Sequence, residues 1–90
     1  MIEIQYSKKF KKNFCKRVPD GSAIDQKYNN RLNIFINDPN NKTIKNHKLT
    51  GKFKNYRAFS ISGDVRVIYY QLSEEKVLFI DIGSHNQIYG

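Results

Sequence analysis

The chain has 90 residues, 39% of them hydrophobic, and a net charge of +8 from sixteen Lys and Arg against eight Asp and Glu. That length predicts a single domain with one modest core, which hides about 60–65% of the surface exposed by the unfolded chain. No apolar run approaches the ~20 residues of a membrane span. The N-terminal stretch "MIEIQYSKKF" has no apolar export core, and the lone Cys15 has no internal disulfide partner, so a reducing, cytoplasmic setting away from membranes is expected.

Residues 2–6 alternate Ile2, Ile4 and Tyr6 with Glu3 and Gln5, the period of a half-buried strand. Ser7 is a predicted helix N-cap for "KKFKKNFCKRV", in which Phe10, Phe14 and Val18 share one face and lysines cover the rest. Pro19, Asp20 and Gly21 end this helix. Ser22 starts a second helix with the apolar stripe Ile24, Tyr28, Leu32 and Phe35 or Ile36, stopped by "NDPNN". The period then changes to two. "YRAFSIS", "VRVIYYQL" and "KVLFIDI" are predicted strands, joined by turns at residues 62–64 and 73–75. The order β-α-α-β-β-β predicts an α+β fold, with a two-helix hairpin packed on one mainly antiparallel sheet.

The charge is unevenly placed. Residues 39–63 contain no acid at all, yet hold Lys42, Lys45, Lys48, Lys52, Lys54 and Arg57. A local basic stretch of this kind attracts a polyanion, although lysine-rich surfaces also serve plain solubility.

The polar candidates for chemistry are His47, Arg57, Asp64, Arg66, His85 and Tyr89. Arg66 shares a strand face with Ile68 and Tyr70, an unusual setting in which an arginine either snorkels to the edge or holds a phosphate with its fork. An Asp at a tight turn, as Asp64 is, usually bonds backbone. Histidine suits proton transfer near neutral pH, and the chain has two, His47 and His85. Neither their spacing nor the single cysteine gives a metal-binding pattern, and no Gly-rich phosphate loop or nucleophile elbow is present, so no cofactor is expected. Cys15, beside Phe14 on a helix, reads as boundary packing. Together, a basic strip, rings such as Phe53, Tyr56 and Tyr89, and two histidines match the needs of RNA cleavage through the ribose 2′-OH.

The run "HKLTGKFKNYRAFSISGDVRVIYYQL", followed by "KVLFIDIGSH", resembles the RelE/ParE toxin superfamily, and within it the YafQ-like branch. The resemblance spans nearly the whole chain. It is carried by the element order, the His-x-Leu-x-Gly entry (His47, Leu49, Gly51), the pair Tyr56–Arg57, the Asp-x-Arg-x-x-Tyr strand from Asp64, and the Gly-Ser-His ending. It implies a RelE-like fold and a ribosome-dependent mRNA endonuclease from a type II toxin–antitoxin module. By position it implies a catalytic group of His47, Asp64 and His85, with His85 as general acid and Asp64 or His47 as base. Arg57 and Arg66 would neutralise phosphate, Tyr89 would orient a base, and Lys48, Lys52 and Lys54 would hold RNA. The implied partners are the ribosome, mRNA and an acidic, partly disordered antitoxin. One position departs from the pattern: Ser60 stands where the branch often has a further histidine. The alternatives are a ParE-like gyrase inhibitor sharing the fold, and a non-catalytic ribosome- or RNA-binding module.

Overall fold

Ser7 and Ser22 both act as helix caps, as expected, in the computed structural model, which describes residues 1–90. Strand β1 (Glu3–Tyr6) leads into α1 (Lys8–Arg17), where the Ser7 hydroxyl accepts the Phe10 N–H at 3.0 Å. The same hydroxyl donates to the Ile80 carbonyl, which ties the helix start to the sheet. Lys16 and Arg17 in the last turn of α1 complement the negative end of its dipole. After a turn through Gly21 at φ +75°, Ser22 caps α2 (Ala23–Asn37), and the helix ends just before Pro39.

The chain then adds a strand that its pattern does not announce. β2 is only His47–Lys48, too short for an alternating period to be visible. It is followed by β3 (Arg57–Ser62), β4 (Val65–Ser73) and β5 (Lys76–Gly83), and then by a five-residue helix, α3 (His85–Tyr89). The sheet order is β1-β5-β4-β3-β2. β1 pairs with β5 in parallel, and every other pairing is antiparallel. The expected α+β architecture is therefore present, extended by one short strand and one short helix.

The core lies between the helices and one sheet face. Phe59 and Ile61 from β3, Val67 and Tyr69 from β4, and Val77, Phe79 and Ile82 from β5 meet Phe10, Tyr28 and Phe35 from the helices. Phe35 occupies the last position of the α2 stripe and stacks on Phe59 at 4.5 Å. Phe14, Ile24 and Leu32 are partly buried against this cluster. Burial pushes the Tyr28 phenol up, with Tyr6 and Asp25 adding to the effect.

One polar network enters this apolar interior. β5 carries an extra residue between the pairs Tyr69–Phe79 and Ile68–Asp81, and at this bulge Asp81 is buried. Its Oδ1 accepts from Asn13 Nδ2 at 2.7 Å, from the Ile82 N–H at 2.8 Å and from Arg17 Nη1 at 3.4 Å. Arg17 Nη1 also donates to the Ile82 carbonyl at 2.8 Å. This bolts α1 to the end of β5. A side chain at Gly83 would meet the bolt, because a Cβ there would lie 2.6 Å from Arg17 Nη1 and 2.8 Å from Gln87 Oε1.

Candidate active site

The last strand ends at a built corner. Ser84 accepts the Gln87 N–H on its hydroxyl at 3.2 Å, and Gln87 Oε1 accepts the Ser84 N–H at 2.8 Å, forming a reciprocal capping box. His85 is thus the first residue of a capped helix, where the sequence pattern suggests a loop. Its backbone N–H, one of the donors a helix start leaves unpaired, goes to Asp64 Oδ2 at 3.1 Å. Asp64 Oδ1 accepts from Arg66 Nη2 at 3.1 Å. One carboxylate therefore joins the β3–β4 turn, the β4 arginine and the start of α3. The pair is open to water, and such pairs add only about 0–1 kcal/mol to stability. Its consequence is geometric.

Tyr89 follows His85 by one helical turn, and their ring centroids are 4.7 Å apart. The Arg66 guanidinium lies 5.9 Å from the Tyr89 ring centre, and Phe53 meets that ring edge-on at 5.0 Å. Lys52, Phe53, Arg66, His85 and Tyr89 line one shallow hollow of about 330 Å³. Ser60 pairs directly with Arg66 across the β3–β4 ladder, so the departure from the family pattern falls beside this hollow.

His47 stands apart from that group. It is exposed on β2, and no hydrogen bond or ring contact joins it to His85, Asp64, Arg66 or Tyr89. Its Nδ1 is 2.8 Å from the Lys45 carbonyl oxygen. A carbonyl can only accept, so Nδ1 carries the proton and Nε2 of the neutral ring is left as an acceptor. His47 pairs with Ala58, which pairs with Ile68. Cross-strand partners share a face, and so do residues two apart on a strand. His47 therefore shares the sheet face of Arg66.

The remaining cations sit elsewhere. Lys48, Lys54 and Arg57 line a larger groove, about 750 Å³, near the opposite end of β4. Arg57 Nε donates to Asn46 Oδ1 at 3.1 Å, and Asn46 Nδ2 donates to the Pro39 carbonyl at 2.9 Å. The Tyr69 hydroxyl, at the edge of the core, lies 2.8 Å from Asn46 Nδ2. Of the residues the sequence singled out, the fold gathers Asp64, Arg66, His85, Tyr89 and Lys52, and it places Lys48, Lys54 and Arg57 in a second hollow. Sequence reasoning missed Gln87, Asn46 and the Asn13–Arg17–Asp81 bolt. The Ser84-x-x-Gln87 spacing is a legible capping signal, whereas an isolated Asn such as Asn46 carries none. No three His, Cys, Asp or Glu side chains converge to ligate a metal ion.

A sheet of this order, with Arg66, Lys52 and His85 at its rim, agrees with the RelE-like architecture that the resemblance implies. A family model described as the bacterial toxin of type II toxin–antitoxin systems, YafQ, matches residues 2–90, and the chain belongs to that family. The structure is similar to YafQ from E. coli strain BL21(DE3), with 24% identity and a TM-score of 0.80, covering 100% of both chains. It is similar to YafQ in the E. coli DinJ–YafQ complex, with 24% identity and a TM-score of 0.78, again over 100% of both chains. A copper-bound mutant toxin from Helicobacter pylori is 26% identical with a TM-score of 0.78, covering 99% of this chain and 100% of that one. No curated protein sequence matches the chain.

Proposed function

We propose that this toxin is a ribosome-dependent mRNA endonuclease that cuts by attack of a ribose 2′-OH on the adjacent phosphorus. The observation that carries the reading is the corner where His85, Arg66, Lys52 and Tyr89 share one hollow, with Asp64 fixing its parts. In this mechanism a base takes the 2′-hydroxyl proton, the 2′-oxygen bonds to phosphorus, and the bond from phosphorus to the 5′-oxygen breaks. An acid protonates that leaving oxygen, so the products are a 2′,3′-cyclic phosphate and a free 5′-hydroxyl.

His85 is the general acid, held at the head of α3. Arg66 and Lys52 neutralise the charge that builds on the phosphoryl oxygens, and the Tyr89 ring orients a neighbouring base. Asp64 holds the His85 N–H with one oxygen and Arg66 with the other, and in this reading it acts as a positioning residue for both. The base is then His47, whose Nε2 is free to accept a proton. It approaches the scissile ribose once RNA lies across the shared sheet face. The net charge of +8 draws the protein to rRNA. Its action on ribosomes would put it in the cytoplasm. An antitoxin partner is in keeping with the DinJ–YafQ complexes of similar fold, and the basic surface suits an acidic, partly disordered one.

Purified toxin added to programmed ribosomes, with mRNA ends mapped by primer extension, tests this reading. Wild type should cut and His85→Ala should not. Full cleavage by His85→Ala removes the histidine from the mechanism. Ribosome binding with intact mRNA under wild-type toxin favours the non-catalytic alternative, for which Ser60 is the residue to examine first.

A further inference from the structure

The larger groove has features that the corner at His85 does not use. Its cations are free of acidic partners: every ion pair in the molecule involves Asp64, Asp81, Glu3 or Glu75, and none includes Lys48, Lys54 or Arg57. Glu74 also lines the groove, but it pairs with none of them. Arg57 is nevertheless fixed, because Asn46 takes its Nε–H and is itself held by Pro39 and Tyr69. Both terminal nitrogens of a pre-oriented fork are thereby left to meet an anion, the arrangement that suits a phosphate. Two aromatic rings line the same groove, Tyr56 and Tyr70, meeting edge to face at 5.9 Å, and Tyr70 is 40% exposed.

These rings do not end at the groove. Tyr56 is 6.2 Å from Phe53, Phe53 is 5.0 Å from Tyr89, and Tyr89 is 4.7 Å from His85. The acid-free basic segment supplies the middle of the series. Arg66 and Tyr70 lie four residues apart on one face of β4, a separation of roughly 13 Å along the strand. An aromatic path therefore runs along the Arg66 face from one hollow to the other, and Arg57 and Lys48, which share the face of Tyr69, reach the second hollow from the other side at the end of the sheet.

We propose that the Arg57 groove is a second subsite for the same single-stranded RNA, seating a nucleotide a few positions from the bond held at His85. Arg57, Lys48 and Lys54 hold its phosphate, and the Tyr56–Tyr70 pair takes its base. The inference rests on the reading of RNA as the substrate. Cations alone would serve an acidic peptide equally well. The ring series running to the catalytic corner is what favours a strand of bases, since stacking on aromatic faces is the sequence-tolerant means of holding one.

The test uses 2′-O-methyl RNA, which has no nucleophile and cannot be cut, so binding is measured apart from cleavage. A dinucleotide and a hexanucleotide are titrated into the protein at low salt, with tyrosine fluorescence as readout. The hexanucleotide should bind at least about tenfold tighter than the dinucleotide. Arg57→Gln and Tyr70→Ala should each erase most of that gain, and Arg57→Gln should reduce the salt slope by about one. Lys54→Gln, an exposed change that leaves the Asn46 brace in place, should lower the gain without any effect on thermal unfolding. Equal binding of the two lengths, or a wild-type gain in all three variants, overturns the proposal. So does an acidic peptide that shifts Tyr56 and Tyr70 NMR signals when the hexanucleotide does not. A length-dependent gain in a protein that leaves mRNA intact on ribosomes keeps the subsite and defeats the endonuclease reading, so the two failures are distinguishable.

Discussion

The two hollows of this molecule are built in opposite ways. At the His85 corner the backbone and the arginine are tied down: Asp64 holds both the His85 N–H and Arg66, Ser84 holds Gln87, and Arg17 holds the end of β5, while Lys52 has no acidic partner. In the Arg57 groove only the arginine is braced, and the lysines have no acidic partners. Transferring a proton in a transition state demands placement to within a hydrogen-bond length. Holding a phosphate along a strand demands charge and tolerates looser geometry. On the proposed reading, reaction falls at one end of β4 and grip at the other, a division that substitutions at each end can break.

The largest effect is expected for His85→Ala, which should lower the cleavage rate on ribosomes by about 10²–10⁴-fold with native unfolding behaviour. Arg57→Ala should cost much less, and chiefly through toxin concentration dependence. Comparable losses in maximal rate from the two variants would dissolve the distinction between reaction and grip. Asp81→Ala comes next. It leaves Asn13 and Arg17 without their buried acceptor and should reduce stability by about 3 kcal/mol, read from the urea midpoint. Hydrogen exchange should show where the damage falls: the core amides that open only on global unfolding should speed up together, and an acceleration at residues 81–89 beyond that common shift agrees with a bolt at the His85 end, whereas its absence does not.

The parts of the fold set by long periodic segments are legible in the amino-acid sequence itself. Phe10, Phe14 and Val18 announce α1, Tyr28 to Phe35 announce α2, and the period-two runs announce β3, β4 and β5, because burial of one face writes the repeat into the sequence. β2 and α3 have two and five residues, too few to show any repeat. They form through partners elsewhere: β2 on β3, and α3 through the cap and Asp64. The same reasoning explains the site. Residue type and order mark which side chains could carry chemistry, including Asp64, Arg66, His85 and Tyr89. Their separation from Arg57, Lys48 and Lys54 is not marked, because adjacency across strands depends on register. The bulges at Ser60/Ser62 and at Ile68/Tyr69 shift that register in ways no local pattern records.

The smallest effect tests the corner's rigidity. Ser84→Ala removes the hydroxyl that accepts the Gln87 N–H, while leaving Gln87 free to accept from the Ser84 backbone and Asp64 free to accept from His85. Loss of a helix cap costs about 1 kcal/mol. In a five-residue helix docked only at the sheet's rim, that loss should emerge as local fraying more than as a lower global midpoint. Amides at residues 86–90 should exchange faster, and cleavage should fall by about tenfold or less, as His85 and Tyr89 spend less time in register with Arg66. Binding of RNA through the Arg57 groove should stay as in wild type, since Ser84 is not among the residues that line it. If cleavage is unchanged while exchange rises, the capped helix is dispensable for placing His85, and the Asp64 bond to the His85 backbone alone supplies the placement.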